Sequence, residues 1–299
     1  MAEPDANGFI SLSAPIDLAL TLGPIAHGRG DPTIRFGADG IWRATRTPAG
    51  AATLRLRARD GGVEVVAWGP GAADAVEGAA ALIGAHDDPS ALVPHHRLIA
   101  ELVHRLPGLR LTRTNRPFEA LLPAICEQKV AGVEARAAFR GIIAAHGEPA
   151  PGPVDLRLPP APATLARLPY FAFHRFGLER RRADLIRRAA QLAPGIERAS
   201  PAEAYARLGA VPGIGLWTLA EVGRIAFGDP DALSVGDYHL PNLVAWALAR
   251  QPRADDVRML ELLEPYRGQR GRVQRLLEAS GIQAPHYGPR LAPQRIAGI

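Results

Sequence analysis

The sequence predicts an α+β chain, a small antiparallel β-sheet followed by an all-helical segment. Three observations point there. Residues 52–59, ATLRLRAR, alternate apolar and polar, the period of a strand with one buried face. Asp60 to Gly62 then turn the chain into VEVVAWG, so the two segments pair as a hairpin. From about Asp88 the apolar residues recur at helical spacing, and Pro/Gly-rich stretches separate each helix from the next. The expected division is 1–87 for the β-rich region, 88–281 for the helical region and 282–299 for a loose tail.

In order, GIWRATRTPAG supplies a strand and a Pro/Gly turn ahead of the hairpin. PSALVPHHRLIAELVHRL opens the helices, and RPFEALLPAICEQKVAGVEARAAFRGIIAAHG continues them. A proline-rich connector, EPAPGPVDLRLPPAPATLARLPYF, leads to the arginine-rich HRFGLERRRADLIRRAAQL. That run suits either a solvated helix face or a track for a polyanion backbone. SPAEAYARLGAVPGIG and LWTLAEVG follow, then DYHLPNLVAWALAR and DVRMLELLEPYRGQRGRVQRLLEASG.

The totals narrow the function classes. At 299 residues, 47% apolar and 22% charged, the chain buries a proper core. A net charge of +5 favours a polyanionic partner mildly. Lys129 is the only lysine, so amine chemistry has one side-chain candidate. Cys126 is the only cysteine, which excludes an intrachain disulfide, a Cys-ligated iron–sulfur cluster and a Cys-rich zinc site. His95, His96, His104, His174, His239 and His286 show no zinc spacing. The start, MAEPDANGFI, is acidic where a secretory signal is basic, and no apolar run is long enough to span a bilayer. A soluble, cytoplasmic protein with no membrane partner is expected.

The informative block is LGAVPGIGLWTLAEVG followed by SVGDYHLPN. Pro212-Gly213 makes a tight turn that Gly213 enters at positive φ, and Gly215 opens the next helix without a β-carbon. Backbone N–H groups there lack intrahelical partners and favour an anion, so a phosphate can sit on main chain regardless of base sequence. A plain helix–turn–helix corner fits the same glycines. Asp237 precedes a helix, where an aspartate commonly serves as a cap.

This block, with RPFEALLPAICEQKV and EPYRGQRGRVQRLLE, resembles the helix-hairpin-helix (HhH-GPD) DNA glycosylase superfamily, and within it the bacterial 3-methyladenine DNA glycosylase II branch. The resemblance runs from about Asn115 to Gly281, and it implies a TBP-like antiparallel domain for the N-terminal region. It makes Asp237 the catalytic carboxylate, which stabilises the oxocarbenium-like sugar as the N-glycosidic bond breaks. Strand-nicking relatives carry a lysine where this chain has Trp217, so a monofunctional enzyme leaving an abasic site is implied. The partner is damaged double-stranded DNA, bound by a monomer and associated with the nucleoid when bound.

Further residues follow from the same likeness. Gln128, Lys129, Pro212, Gly213, Gly215 and Thr218 fall at DNA-binding positions, with Lys129 in place of an apolar wedge that fills the gap left by a flipped nucleotide. Trp217, Glu221, Tyr238 and Arg275 fall at the substrate pocket. Glu221 and Arg275 replace aromatic residues on which a cationic base would stack. Tyr238, Trp246 and Phe173 are either replacement pocket walls or core. The carbonyls of Gly209, Val211 and Ile214 would hold a structural Na+ or K+; no other cofactor, iron–sulfur cluster or zinc is expected. Two other readings stand beside this one: an oxidised-purine glycosylase with strand-cleaving activity, and a non-catalytic helix-hairpin-helix DNA-binding protein.

Overall fold

The computed structural model describes residues 3–285. The N-terminal region is a five-stranded antiparallel sheet in the order β1-β5-β4-β3-β2, with β1 Ala6–Ser11, β2 Ile34–Gly37, β3 Gly40–Thr47, β4 Gly50–Arg59 and β5 Gly62–Trp68. The expected hairpin is β4–β5, closed by the Arg59↔Gly62 pair around Asp60-Gly61. Helices α1 Leu18–Leu22, α2 Ala72–Glu77 and α3 Ala79–Leu82 cover one face. Leu22, Leu54, Leu56, Val63, Val65 and Ile83 are buried between them. Period-two alternation puts Leu54 and Leu56 of β4 on that face and turns Arg55 and Arg57 away.

The proline-rich connector is not a bare link. It folds back as the cover of the second sheet face, where Leu156 and Leu158 are buried against the stacked rings of Trp42 and Trp68. The backbone N–H of Arg157 donates to Pro32 O at 2.8 Å and fixes that return. Proline suits this task, because a segment with few N–H donors covers a sheet face without leaving many unpaired.

The remaining helices are α4 Arg97–Arg105, α5 Pro117–Glu127, α6 Gly132–His146, α7 Pro162–Arg167, α8 Arg180–Ile196, α9 Pro201–Gly209, α10 Leu216–Val222, α11 Leu240–Ala249, α12 Asp256–Leu263 and α13 Arg270–Ala279. They gather around two apolar cores. Phe118, Leu122, Ile142, Phe173, Ile186 and Leu208 belong to one, and Ile99, Val244, Met259, Leu263, Val273 and Leu277 to the other. Phe173 is therefore core. In the arginine-rich α8 the face is mixed: Arg182 is only 4% exposed and donates to the Cys126 and Gly177 carbonyls. Arg181 and Arg188 are exposed, and Arg188 reaches the Pro212 carbonyl.

Among the acids that join sheet and helices, Glu119 ties the sheet to α5 and Asp87 pairs with Arg272 of α13. Glu119, on α5, accepts from Arg43 Nη2 at 2.7 Å, from Thr45 Oγ1 and from the Arg46 backbone N–H at 2.9 Å. Burial pulls the Arg43 guanidinium below its ordinary value, while Glu119 opposes that shift. Among the described residues no helix is long and apolar enough to cross a membrane. The 282–299 tail expectation and His286 fall mostly or wholly outside the described residues; residues 282–285 carry no regular secondary structure.

Candidate active site

The hairpin forms between α9 and α10. A capping box starts α9, with Ser200 and Glu203 exchanging hydrogen bonds and Pro201 at the first helical position. Gly213 sits at φ +103, where an L side chain would be strained, and Gly215 is the N-cap of α10. Ile214 N–H donates to Val211 O at 3.0 Å and draws the turn tight. Two side chains brace it from outside. Gln128 Nε2 donates to Gly213 O at 3.0 Å and to Thr218 Oγ1 at 2.9 Å. Arg188 donates to Pro212 O at 3.1 Å.

These contacts revise two expected roles. Thr218 is 2% exposed with its hydroxyl against Gln128, so its side chain cannot reach a phosphate; it stiffens the corner instead. The amide nitrogen of Gln128 is likewise committed to the hairpin. Pro212, Gly213, Gly215 and the exposed Leu216 form the outer edge, and Lys129 stands exposed beside them at φ +55. Gly209 and Val211, at the C-terminal end of α9, offer neutral carbonyls at the negative end of a helix, a donor set that fits a monovalent cation.

Asp237 arrives from the other core. Gly236 turns the chain at φ +93, held by its N–H on Asp256 Oδ1 at 3.1 Å. Asp237 N–H donates to Ser234 O at 3.1 Å. The Asp237 carboxylate then divides its work. Oδ1 accepts the backbone N–H groups of His239 and Leu240 at 2.7 and 2.9 Å, which caps α11. Oδ2 accepts the indole N–H of Trp217 at 3.2 Å. Both the cap and the link to the hairpin helix are therefore present, and the carboxylate is partly exposed beside the two-glycine turn.

One turn beyond Trp217 on the same face of α10, Glu221 is turned inward. Its Oε1 accepts from Arg224 Nη1 at 3.0 Å and from Ser234 Oγ at 2.5 Å. Gln274 adds bonds to the Ser234 hydroxyl and backbone. Glu221 thus helps hold the loop that carries Asp237. Burial raises its carboxyl, and Arg224 opposes that shift. Arg275 departs from expectation: its guanidinium donates to the Leu20 carbonyl of α1, bridging to the sheet domain. Tyr238 is 78% exposed, edge-on to His239, and stands beside Asp237 at the surface rather than as an inner wall.

A cavity of about 170 Å³ lies between the sheet domain and α5, α6 and α10. Glu221 lines it, together with His27, Glu127 and Phe139, residues that carried no signal in the sequence. Each comes from a different stretch of the chain, so no local spacing could have linked them.

The overall fold occurs in known structures. A 3-methyladenine DNA-glycosylase from Archaeoglobus fulgidus superposes with a TM-score of 0.75 over 91% of this chain and 97% of its own, at 18% identity. The fold is that of the helix-hairpin-helix DNA glycosylases. The Clostridium acetobutylicum 8-oxoguanine glycosylase/lyase, in complex with double-stranded DNA containing cytosine opposite 8-oxoguanine, shares this glycosylase fold at TM-score 0.70. It covers 94% of this chain and all of its own at 13% identity. The Schizosaccharomyces pombe 3-methyladenine DNA glycosylase, in complex with abasic DNA, matches 64% of this chain and 96% of its own at TM-score 0.51 and 18% identity. No protein-family model and no curated relative matches the sequence. Solved neighbours with this glycosylase fold therefore include both alkylpurine and oxidised-purine types.

Proposed function

We propose that the chain is a monofunctional DNA glycosylase that removes an alkylated purine from duplex DNA and leaves an abasic site. The observation that carries this reading is the Asp237 carboxylate, fixed by Trp217 and the start of α11 beside the hairpin. A nucleotide flipped from the duplex would place its sugar against that carboxylate. As the C1′–N bond breaks, the bonding pair leaves with the base, and the charged ring is stabilised by Asp237 until water adds at C1′ and passes its proton to the Asp237 carboxylate. A purine alkylated at N3 or N7 carries positive charge and leaves as a neutral base, so it needs no further acid. Trp217 in place of a lysine denies the sugar an amine partner at that position, which favours hydrolysis over strand cleavage.

In this reading the hairpin edge, Pro212 to Gly215, seats a phosphate on main chain, with Lys129 alongside. Gly209, Val211 and Ile214 would hold a monovalent cation, whose charge would strengthen the phosphate contact. Incubating the protein and its Asp237→Asn variant with duplexes containing 7-methylguanine tests the proposal. Wild type should release the base and give strand breaks only after alkali, and the variant should lose at least about 100-fold in rate while still binding the duplex. Full activity in the variant overturns the assignment of Asp237. Breaks without alkali overturn the monofunctional reading.

A further inference from the structure

Residues 228–239 form no helix or strand of their own, so other elements must fix the loop that presents Asp237. Its first half is tied at two acids. Asp229 accepts from the Tyr205 hydroxyl at 2.8 Å, and Asp231 accepts from Arg270 Nε at 2.8 Å. Between Asp231 and Gly236 the chain reads Ala-Leu-Ser-Val, so Ser234 is the only side chain there able to form a hydrogen bond.

Ser234 is 1% exposed, and each of its polar atoms is engaged. Its hydroxyl donates to Glu221 Oε1 at 2.5 Å and accepts from Gln274 Nε2 at 3.0 Å and Arg224 Nη1 at 3.3 Å. That is the full capacity of a hydroxyl, one donor and two lone pairs, so its direction is set from three sides. Its backbone N–H donates to Gln274 Oε1 at 3.1 Å, and its carbonyl accepts the Asp237 N–H at 3.1 Å. Arg224 and Gln274 meet again on Glu278, which they reach at 2.6 and 2.8 Å. The side chains thus close a ring from Ser234 through Glu221, Arg224, Glu278 and Gln274 back to Ser234. It joins α10 and the turn after it to α13. A buried network in which every member is satisfied is rigid, because displacing Ser234 would leave its partners unpaired.

We infer that Ser234 is a positioning residue: held by this ring, it sets through the Asp237 N–H where the catalytic carboxylate stands against the sugar. The described residues that line the cavity include neither Ser234 nor Gln274, so the effect falls on bond cleavage whichever base is leaving. The inference rests on the glycosylase reading of Asp237 and adds to it a residue that never touches substrate.

Two variants break the ring. Ser234→Ala removes the hydroxyl and keeps the backbone bonds, and Gln274→Met cuts the ring from the α13 side at similar side-chain length. Each should lower the single-turnover rate on a 7-methylguanine duplex about tenfold or more, since a misplaced reacting group costs up to about 100-fold. Duplex affinity should not change, and a hypoxanthine duplex should show the same loss. Rates are taken at a temperature where urea titration shows each variant fully folded, so reduced stability alone leaves them at the wild-type value. Wild-type rates in both variants, or a loss confined to one base, overturn the inference while Asp237 keeps its role. In an Asp237→Asn background the substitutions should cost nothing further, because they act through that carboxylate; an undiminished extra loss overturns the inference.

A second readout needs no catalysis. The Trp217 indole N–H donates to Asp237 Oδ2 and so reports the carboxylate directly. Its proton resonance, assigned by its disappearance in Trp217→Phe, should move in Ser234→Ala and in Gln274→Met. An unmoved resonance overturns the inference whatever the protein catalyses. If the resonance moves but Asp237→Asn keeps full activity, the ring still places the carboxylate and the glycosylase reading of Asp237 falls.

Discussion

The indole of Trp217 and the carboxylate of Asp237 are joined at 3.2 Å across the seam between the two helical cores. Replacing Trp217 by Phe keeps the ring and removes the N–H. The carboxylate then keeps its helix-cap bonds but loses the contact that fixes its second oxygen. Small misplacements of a reacting group cost up to about 100-fold in rate. Trp217→Phe should therefore lower kcat about 10- to 100-fold with little change in KM, measured on a 7-methylguanine duplex.

Asp237 also caps α11, and that role separates cleanly from chemistry. Asn is about as good a cap as Asp, whereas Ala provides no acceptor. Asp237→Asn should melt close to wild type, and Asp237→Ala should lose about 1 kcal/mol in chemical denaturation. Both should be equally inactive.

Glu119 is a polar rivet between sheet and helices. Removing one partner of a buried ion pair leaves the other charged and unsolvated, at a cost of about 3–5 kcal/mol. Glu119→Ala strands Arg43 and two further donors, so urea unfolding should register a loss of roughly that size. Arg43→Met with Glu119→Leu should recover some of it.

Glu197, at the end of α8, accepts the Phe118 N–H at 3.0 Å and so caps α5 from outside. Burial pushes its carboxyl up from 4.5 to about 7, although Phe118 and Arg116 pull the other way. The folded chain thus holds this proton more tightly than the unfolded chain does. The stability it contributes is complete below about pH 4.5 and is lost as pH rises through 7. Glu197→Gln keeps the acceptor and abolishes the titration. The variant should gain on the order of 2 kcal/mol over wild type above pH 7, and denaturation across that range reads it directly.

Much of the site was legible because its geometry is local. Gly213, Gly215 and the cap-like Asp237 announce themselves within one stretch of chain, as does the β4–β5 hairpin at Asp60-Gly61. What escaped was assembled over distance. His27 and Glu127 join Glu221, the one of the three placed at the pocket from the sequence, only once the sheet docks on α5. Arg182 reads as one more surface arginine until its guanidinium is found on Cys126 O. Thr218 gives no sign of being buried, since helix periodicity leaves a residue beside a glycine corner undetermined. The proline-rich connector resembles a linker in composition and is in fact a lid on tryptophan rings.

A single short helix, α10, carries Gly215 at its first turn and Glu221 near its last, a span of about 9 Å at 1.5 Å per residue. It behaves as a ruler. Anything that touches the hairpin edge and the inner carboxylate together is gauged against a fixed length, and inserting one residue between them would rotate the acid away from its chamber and put both ends out of step at once.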